Sequence, residues 1–90
     1  MEWDEAQRYL DEKYDHKFSQ QKRSYYEYQQ IDPNNLTMIT DVGLKIYWQL
    51  NEDLDSQLSN LYRYVAEEQK YDLTGVEYID LRHGNQIIVK

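Results

Sequence analysis

Leu44-Lys45-Ile46-Tyr47-Trp48-Gln49-Leu50-Asn51-Glu52-Asp53-Leu54-Asp55-Ser56-Gln57-Leu58-Ser59-Asn60-Leu61-Tyr62-Arg63-Tyr64-Val65 sets two periodicities back to back. In its first part Leu44, Ile46, Trp48 and Leu50 alternate with Lys45, Tyr47 and Gln49. That is the period of two of a strand with one buried face. In the rest, Leu54, Leu58, Leu61 and Val65 fall three and four residues apart, a stripe along one face of a helix. The pattern predicts a helix over residues 52–69, roughly 27 Å long. Asn51 suits its N-cap, and Glu52 and Asp53 suit its first turn, where the helix dipole favours negative charge. A one-faced strand running into a one-faced helix buries both apolar surfaces only if the helix lies on a sheet. The fold class that follows is α+β.

Both flanks extend this scheme. Trp3, Ala6, Leu10, Tyr14 and Phe18 recur at helical spacing and predict a first helix over residues 3–22, with Glu2, Asp4 and Glu5 near its start and Lys17, Lys22 and Arg23 toward its end. Tyr25-Tyr26-Glu27-Tyr28 through Ile31 is rich in strand formers. Asp32-Pro33-Asn34-Asn35 is a turn in which proline pre-sets its own dihedral and asparagine accepts the conformations that follow. Leu36-Thr37-Met38-Ile39-Thr40 reads as a second strand, and Asp41-Val42-Gly43 as the turn into the third. After the long helix, residues 76–82 and 86–90 form a hairpin joined by His83-Gly84-Asn85, with Gly84 and Asn85 suited to positive φ. The predicted order is α-β-β-β-α-β-β: a mainly antiparallel sheet with two helices packed on one face.

Ninety residues make one domain, spanning 1–90, and two would each be too small for a core. Hydrophobic residues make up 40% of the chain, and ten tyrosines supply much of that share. Tyrosine packs its ring and leaves its hydroxyl at the surface, so it serves equally at the rim of a core or on a contact face. Trp48 belongs to the core face of its strand, while Trp3 fits either the core or an exposed anchor. There is no cysteine, which removes disulfides, thiol nucleophiles and cysteine metal sites together. No apolar run approaches the roughly 20 residues of a membrane span, and the acidic start Met1-Glu2-Trp3-Asp4-Glu5 does not read as a signal peptide.

The formal net charge is −7, and residues 31–60 hold five acids (Asp32, Asp41, Glu52, Asp53, Asp55) against Lys45. Such a surface repels phosphate backbones, so no nucleic-acid partner is expected. It suits solubility, a basic protein partner, or mimicry of nucleic acid in a basic groove. Catalytic chemistry finds no pattern. His16 and His83 sit in no recognisable motif, and the chain has neither a phosphate-binding glycine loop nor an HExxH pair. Asn51-Glu52-Asp53-Leu54-Asp55 begins like a calcium loop, but Ser56 and Tyr62 stand where that loop needs glycine and glutamate. An acid-rich helix start explains the same residues. No enzyme activity, metal or cofactor is expected.

The C-terminal hairpin is the sharpest candidate for a binding surface. Ile79 and Leu81 share one face of their strand, Asp80 and Arg82 the other. If the last strand lies at a sheet edge, its backbone groups are free to take a partner strand. Proline at Ile88 is the obvious probe, because proline removes an edge donor.

The same residues resemble a known family. Tyr78-Ile79-Asp80-Leu81-Arg82, a short turn and an aliphatic strand resemble the C-terminal end of the cell-division protein FtsQ (DivIB). Asn35-Leu36-Thr37-Met38-Ile39-Thr40-Asp41-Val42-Gly43, then Lys45-Ile46-Tyr47-Trp48 and a helix with Leu54, Leu58 and Leu61, resemble that family's strand-turn-glycine-strand-helix. The resemblance covers residues 34–90. It implies a non-catalytic divisome scaffold on the extracytoplasmic face of the cell membrane, anchored in full-length members by a transmembrane helix followed by a POTRA domain. Neither is among these 90 residues, so the resemblance implies an excised domain. It also implies partners of the FtsB and FtsL coiled-coil type, bound in part by strand addition. By position, Arg82, His83 and Gln86 are partner-contacting and Ile87, Ile88 and Val89 supply the edge. His83 stands where the family commonly has an aromatic residue. A second expectation comes from charge, size and an initiating Met1: a small stand-alone acidic inhibitor of phage type, cytoplasmic, which mimics nucleic acid or blocks a defence protein.

Overall fold

A computed structural model describes residues 2–13, 27–40, 43–68, 75–84 and 86–90. The elements are α1 (Trp3–Lys13), β1 (Glu27–Asp32), β2 (Asn35–Ile39), β3 (Lys45–Gln49), α2 (Leu54–Glu68), β4 (Tyr78–His83) and β5 (Gln86–Val89). The order α-β-β-β-α-β-β and the α+β class are those expected. The second half of the expected first helix, with Tyr14 and Phe18, lies outside the described residues, as do Asp41, Val42 and Asn85.

The five strands form one sheet in the order β1-β2-β3-β4-β5. The β1–β2, β2–β3 and β4–β5 pairs are antiparallel. The β3–β4 pair is parallel, because α2 carries the chain back to the starting end before β4 begins. Register sorts the side chains into two kinds of row. Tyr28, Met38, Ile46, Ile79 and Val89 lie side by side across all five strands and face the helices. One residue along, Gln29, Thr37, Tyr47, Asp80 and Ile88 form the matching row on the outer face. The alternation read at Lys45–Leu50 is therefore the alternation of the whole sheet.

Both helices contribute to one core. Ala6 and Leu10 of α1 join Leu54, Leu58, Leu61 and Val65 of α2 against Leu36, Met38, Ile46, Trp48, Ile79 and Leu81. Trp48 is fully buried, as its strand phase predicts. Trp3 packs at the core margin, with Tyr9, Tyr28, Tyr62 and Tyr64 around the rim. Hydroxyls tie the layers. Tyr9 donates to Asp55 (2.8 Å), Tyr28 to Asp11, and Tyr62 to the Lys13 carbonyl, so α1 is held to both α2 and β1. Burial first, and then the Asp55 bond and charge, push the Tyr9 hydroxyl up to about 12, so it stays a donor through the physiological range.

Two local devices set where α2 starts. Asp53, not Asn51, is its N-cap: Oδ1 accepts the Asp55 amide at 3.0 Å and Oδ2 accepts the Ser56 hydroxyl at 3.0 Å. Asn51 falls too early, in the turn that follows β3. The second device is Gln57, a polar residue only 5% exposed. Its Oε1 accepts the Gln49 amide at 2.8 Å and its Nε2 donates to the Gln49 carbonyl at 2.9 Å. The side-chain amide thus completes the end of β3 as a neighbouring strand would.

Candidate functional site

The β4–β5 hairpin carries every residue singled out for partner contact, and its geometry follows from one carboxylate. Asp80 lies on the outer face of β4 and is 6% exposed. Its Oδ1 accepts the Arg82 amide (3.0 Å) and Nε (2.9 Å), and its Oδ2 accepts Arg82 Nη2 (2.9 Å) and lies 3.0 Å from His83 Nε2. Residues two apart on a strand share a face, so Asp80 and Arg82 meet as a bidentate pair. The register slips between Asp80 and His83, where Leu81 and Arg82 stand opposite Ile87 alone. This β-bulge turns His83 back toward Asp80 and bends the hairpin. The carboxylate closes over the bulge through the Arg82 amide.

The electrostatics agree. Burial pushes the Asp80 carboxyl up, but the Arg82 side-chain and backbone bonds and His83 outweigh it and take it down from 3.8 to about 2. Arg82 is raised in return, first by the bond it donates to Asp80. Its guanidinium lies 4.9 Å above the centre of the Tyr47 ring and donates through Nη1 to Asn35 at 3.3 Å. Asn35 in turn donates to both oxygens of Asp32. A polar chain thus runs from the β1–β2 turn to the end of β4. Tyr78 adds to it, its ring 5.6 Å from that of Tyr47.

β5 lies at one edge of the sheet. Lys90 exchanges both backbone bonds with Tyr78, at 3.1 and 3.3 Å. In an antiparallel ladder such pairs alternate with pairs that exchange none. Val89, opposite Ile79, is therefore of the second kind, and its N–H and C=O point away from β4 toward the open edge. Ile88, opposite Asp80, points its own inward, and Ile87 repeats the orientation of Val89. Side chains alternate too. Ile87 and Val89 are half-buried against the core, and Ile88 stands out at 42% exposure. The geometry moves the proline probe. At Ile88 proline would remove a bond to β4, whereas at Val89 it removes a donor that only a partner can use.

Gln86, Ile87, Ile88 and Val89 are thus brought together on one edge, with Gln86 exposed beside the turn. Arg82 and His83 lie on the same hairpin, but Arg82 Nε and Nη2 and His83 Nε2 are engaged by Asp80, and Arg82 Nη1 by Asn35. The residue missed was Asp80 itself. Its spacing to Arg82 announces a pair, and its burial comes only with the folded hairpin. A cleft of about 370 Å³ opens at the turn end, between Glu52, Asp53 and Asn60 on one wall and His83 and Gly84 on the other. Ser56 also lines it, but its hydroxyl is directed to Asp53 and not to His83. Among the described residues no three acidic or histidine side chains gather as a metal site, and no helix is long and apolar enough to cross a membrane. Compared with known protein families, curated proteins and solved structures, the chain matches none.

Proposed function

We propose that this chain is a non-catalytic protein-binding domain of the FtsQ β-domain kind, which accepts a strand from an FtsB- or FtsL-like partner along β5. One observation carries the reading: an edge strand whose Val89 backbone groups face outward with no β4 partner, on a hairpin locked by Asp80. Backbone pairing gives such an edge affinity, and the alternating side chains give it selectivity. In this reading Arg82 and His83 act chiefly by holding the hairpin, and Gln86, Ile87, Ile88 and Val89 meet the partner.

The test is Val89→Pro. It deletes an outward N–H and leaves the Tyr78–Lys90 bonds in place. Titration calorimetry with a peptide from a coiled-coil division partner should show affinity falling about tenfold, the equivalent of roughly 1.4 kcal/mol. Circular dichroism should show an unchanged fold. Unchanged affinity in a folded variant would remove strand addition.

The charge of −7 favours a second reading, an acidic inhibitor seated in a basic groove. Binding of that kind collapses in high salt and ignores Val89→Pro, so the same variant separates the two.

A further inference from the structure

Resting on the strand-addition reading, we infer that the segment β5 accepts runs antiparallel to it and carries three consecutive aliphatic residues, apolar on both faces, followed rather than preceded by basic residues. A strand added to a half-solvated sheet ordinarily alternates apolar with polar. This edge does not ask for that. On its inner face Ile87 and Val89 are half-buried against the core. On its outer face Ile88 is the exposed large hydrophobic among the described residues.

Pairing geometry concentrates the demand. An antiparallel guest exchanges backbone bonds with Val89 and Ile87. Its residue between those pairs then sits opposite Ile88 in a pair without such bonds, where side chains come closest. The outer-face neighbour of Ile88 on β4 is Asp80, whose oxygens already receive Arg82 and His83. A polar central residue therefore meets an aliphatic side chain and a carboxylate already in use.

Charge sets the polarity of the flanks. A guest antiparallel to β5 begins beside Lys90 and ends beside Gln86 and the turn at Gly84. A basic residue ahead of the triplet would face Lys90, a like-charge pair. A basic residue after it lies past Gln86 at the turn end, and across His83 and Gly84 from there Glu52 and Asp53 line the cleft and attract it through space at low salt. The Arg82 charge there is matched by Asp80, so the cleft is acidic on balance. A second copy of this chain has the aliphatic triplet but brings −7 toward −7, so the guest is another protein.

Three short peptides test this on the intact chain by fluorescence anisotropy at low salt, with amide exchange followed in parallel. One has an Ile-Val-Ile core followed by Ser-Lys-Lys. The second carries the lysines ahead of the core. The third has serine at the central position. The first should bind tightest and slow exchange of the Val89 amide. The other two should each bind about fivefold more weakly, the upper end for one cross-strand pair. Equal binding of all three with Val89 protected would overturn the inference and leave strand addition standing. Failure of every peptide to protect Val89 would overturn strand addition and the inference with it.

Discussion

At the residue scale, Asp80 holds the hairpin in shape. Four polar groups converge on its two oxygens, three from Arg82 and one from His83. The Asp80 side chain is only 9% exposed and that of Arg82 34%, so solvent screens the pair in part and trims what it contributes. Its carboxyl sits at about 2 when folded against 3.8 ordinarily. A depressed carboxyl stabilises the fold above the unfolded value and loses that contribution as pH falls through the folded one. The difference is worth about 2 kcal/mol at neutral pH, lost progressively between about pH 4 and pH 2. Asp80→Asn should therefore destabilise the protein by about 2 kcal/mol near neutrality, with a flatter acid limb than the parent. Urea unfolding at pH 7 and at pH 3 measures both. An equal loss at the two values would mean that the carboxylate charge is not what matters.

At the element scale, the unusual joint is the one between β3 and α2. A strand end exposes an N–H and a C=O that a sheet normally pairs, and here Gln57 supplies both partners from the first turn of the helix. Gln57→Leu keeps the volume and removes both bonds. A buried backbone group left unpaired costs about 1–3 kcal/mol, and with both groups part-buried the expected loss lies toward the lower end of that range for each. The expected signature is local as well as global: a lower urea midpoint, and faster exchange of the Gln49 amide than of its β3 neighbours. Apolar periodicity alone cannot announce this joint. Gln57 sits one residue before Leu58 on the helix, and nothing in the sequence distinguishes it from an exposed glutamine.

At the scale of the whole molecule, β2, β3 and β4 are paired on both sides, while among the described residues β1 and β5 each pair on one side alone. Edge strands open first. Amide exchange should therefore rank β3 and β4 slowest, limited by global unfolding, with β1 and β5 faster. Within β5 it should split by residue: Val89, facing outward, fast, and Ile88, bonded to β4, slow. Slow exchange at Val89 in the isolated chain would mean that its N–H already has a partner. Partner binding, on the reading proposed, reverses that order at Val89 and leaves β3 unchanged.

The sequence by itself determined the elements and their facing. Period two at residues 44–50 and the leucine stripe at 54–65 placed one strand and one helix, and their single apolar faces required a layer of each. Pro33 and Gly84 marked turns by chemistry that needs no distant partner, and Gly84 indeed has φ of +64°. What sequence could not determine were features that depend on distant chain segments. The parallel β3–β4 pair needs α2 as a return path. The cap is Asp53 and not Asn51, and the same first turn is tied to Gln49 through Gln57. The β-bulge, the burial of Asp80, and the outward N–H of Val89 all follow from how β4 meets β5. Local periodicity sets which side a residue faces, but only pairing in space sets which backbone groups remain without a partner.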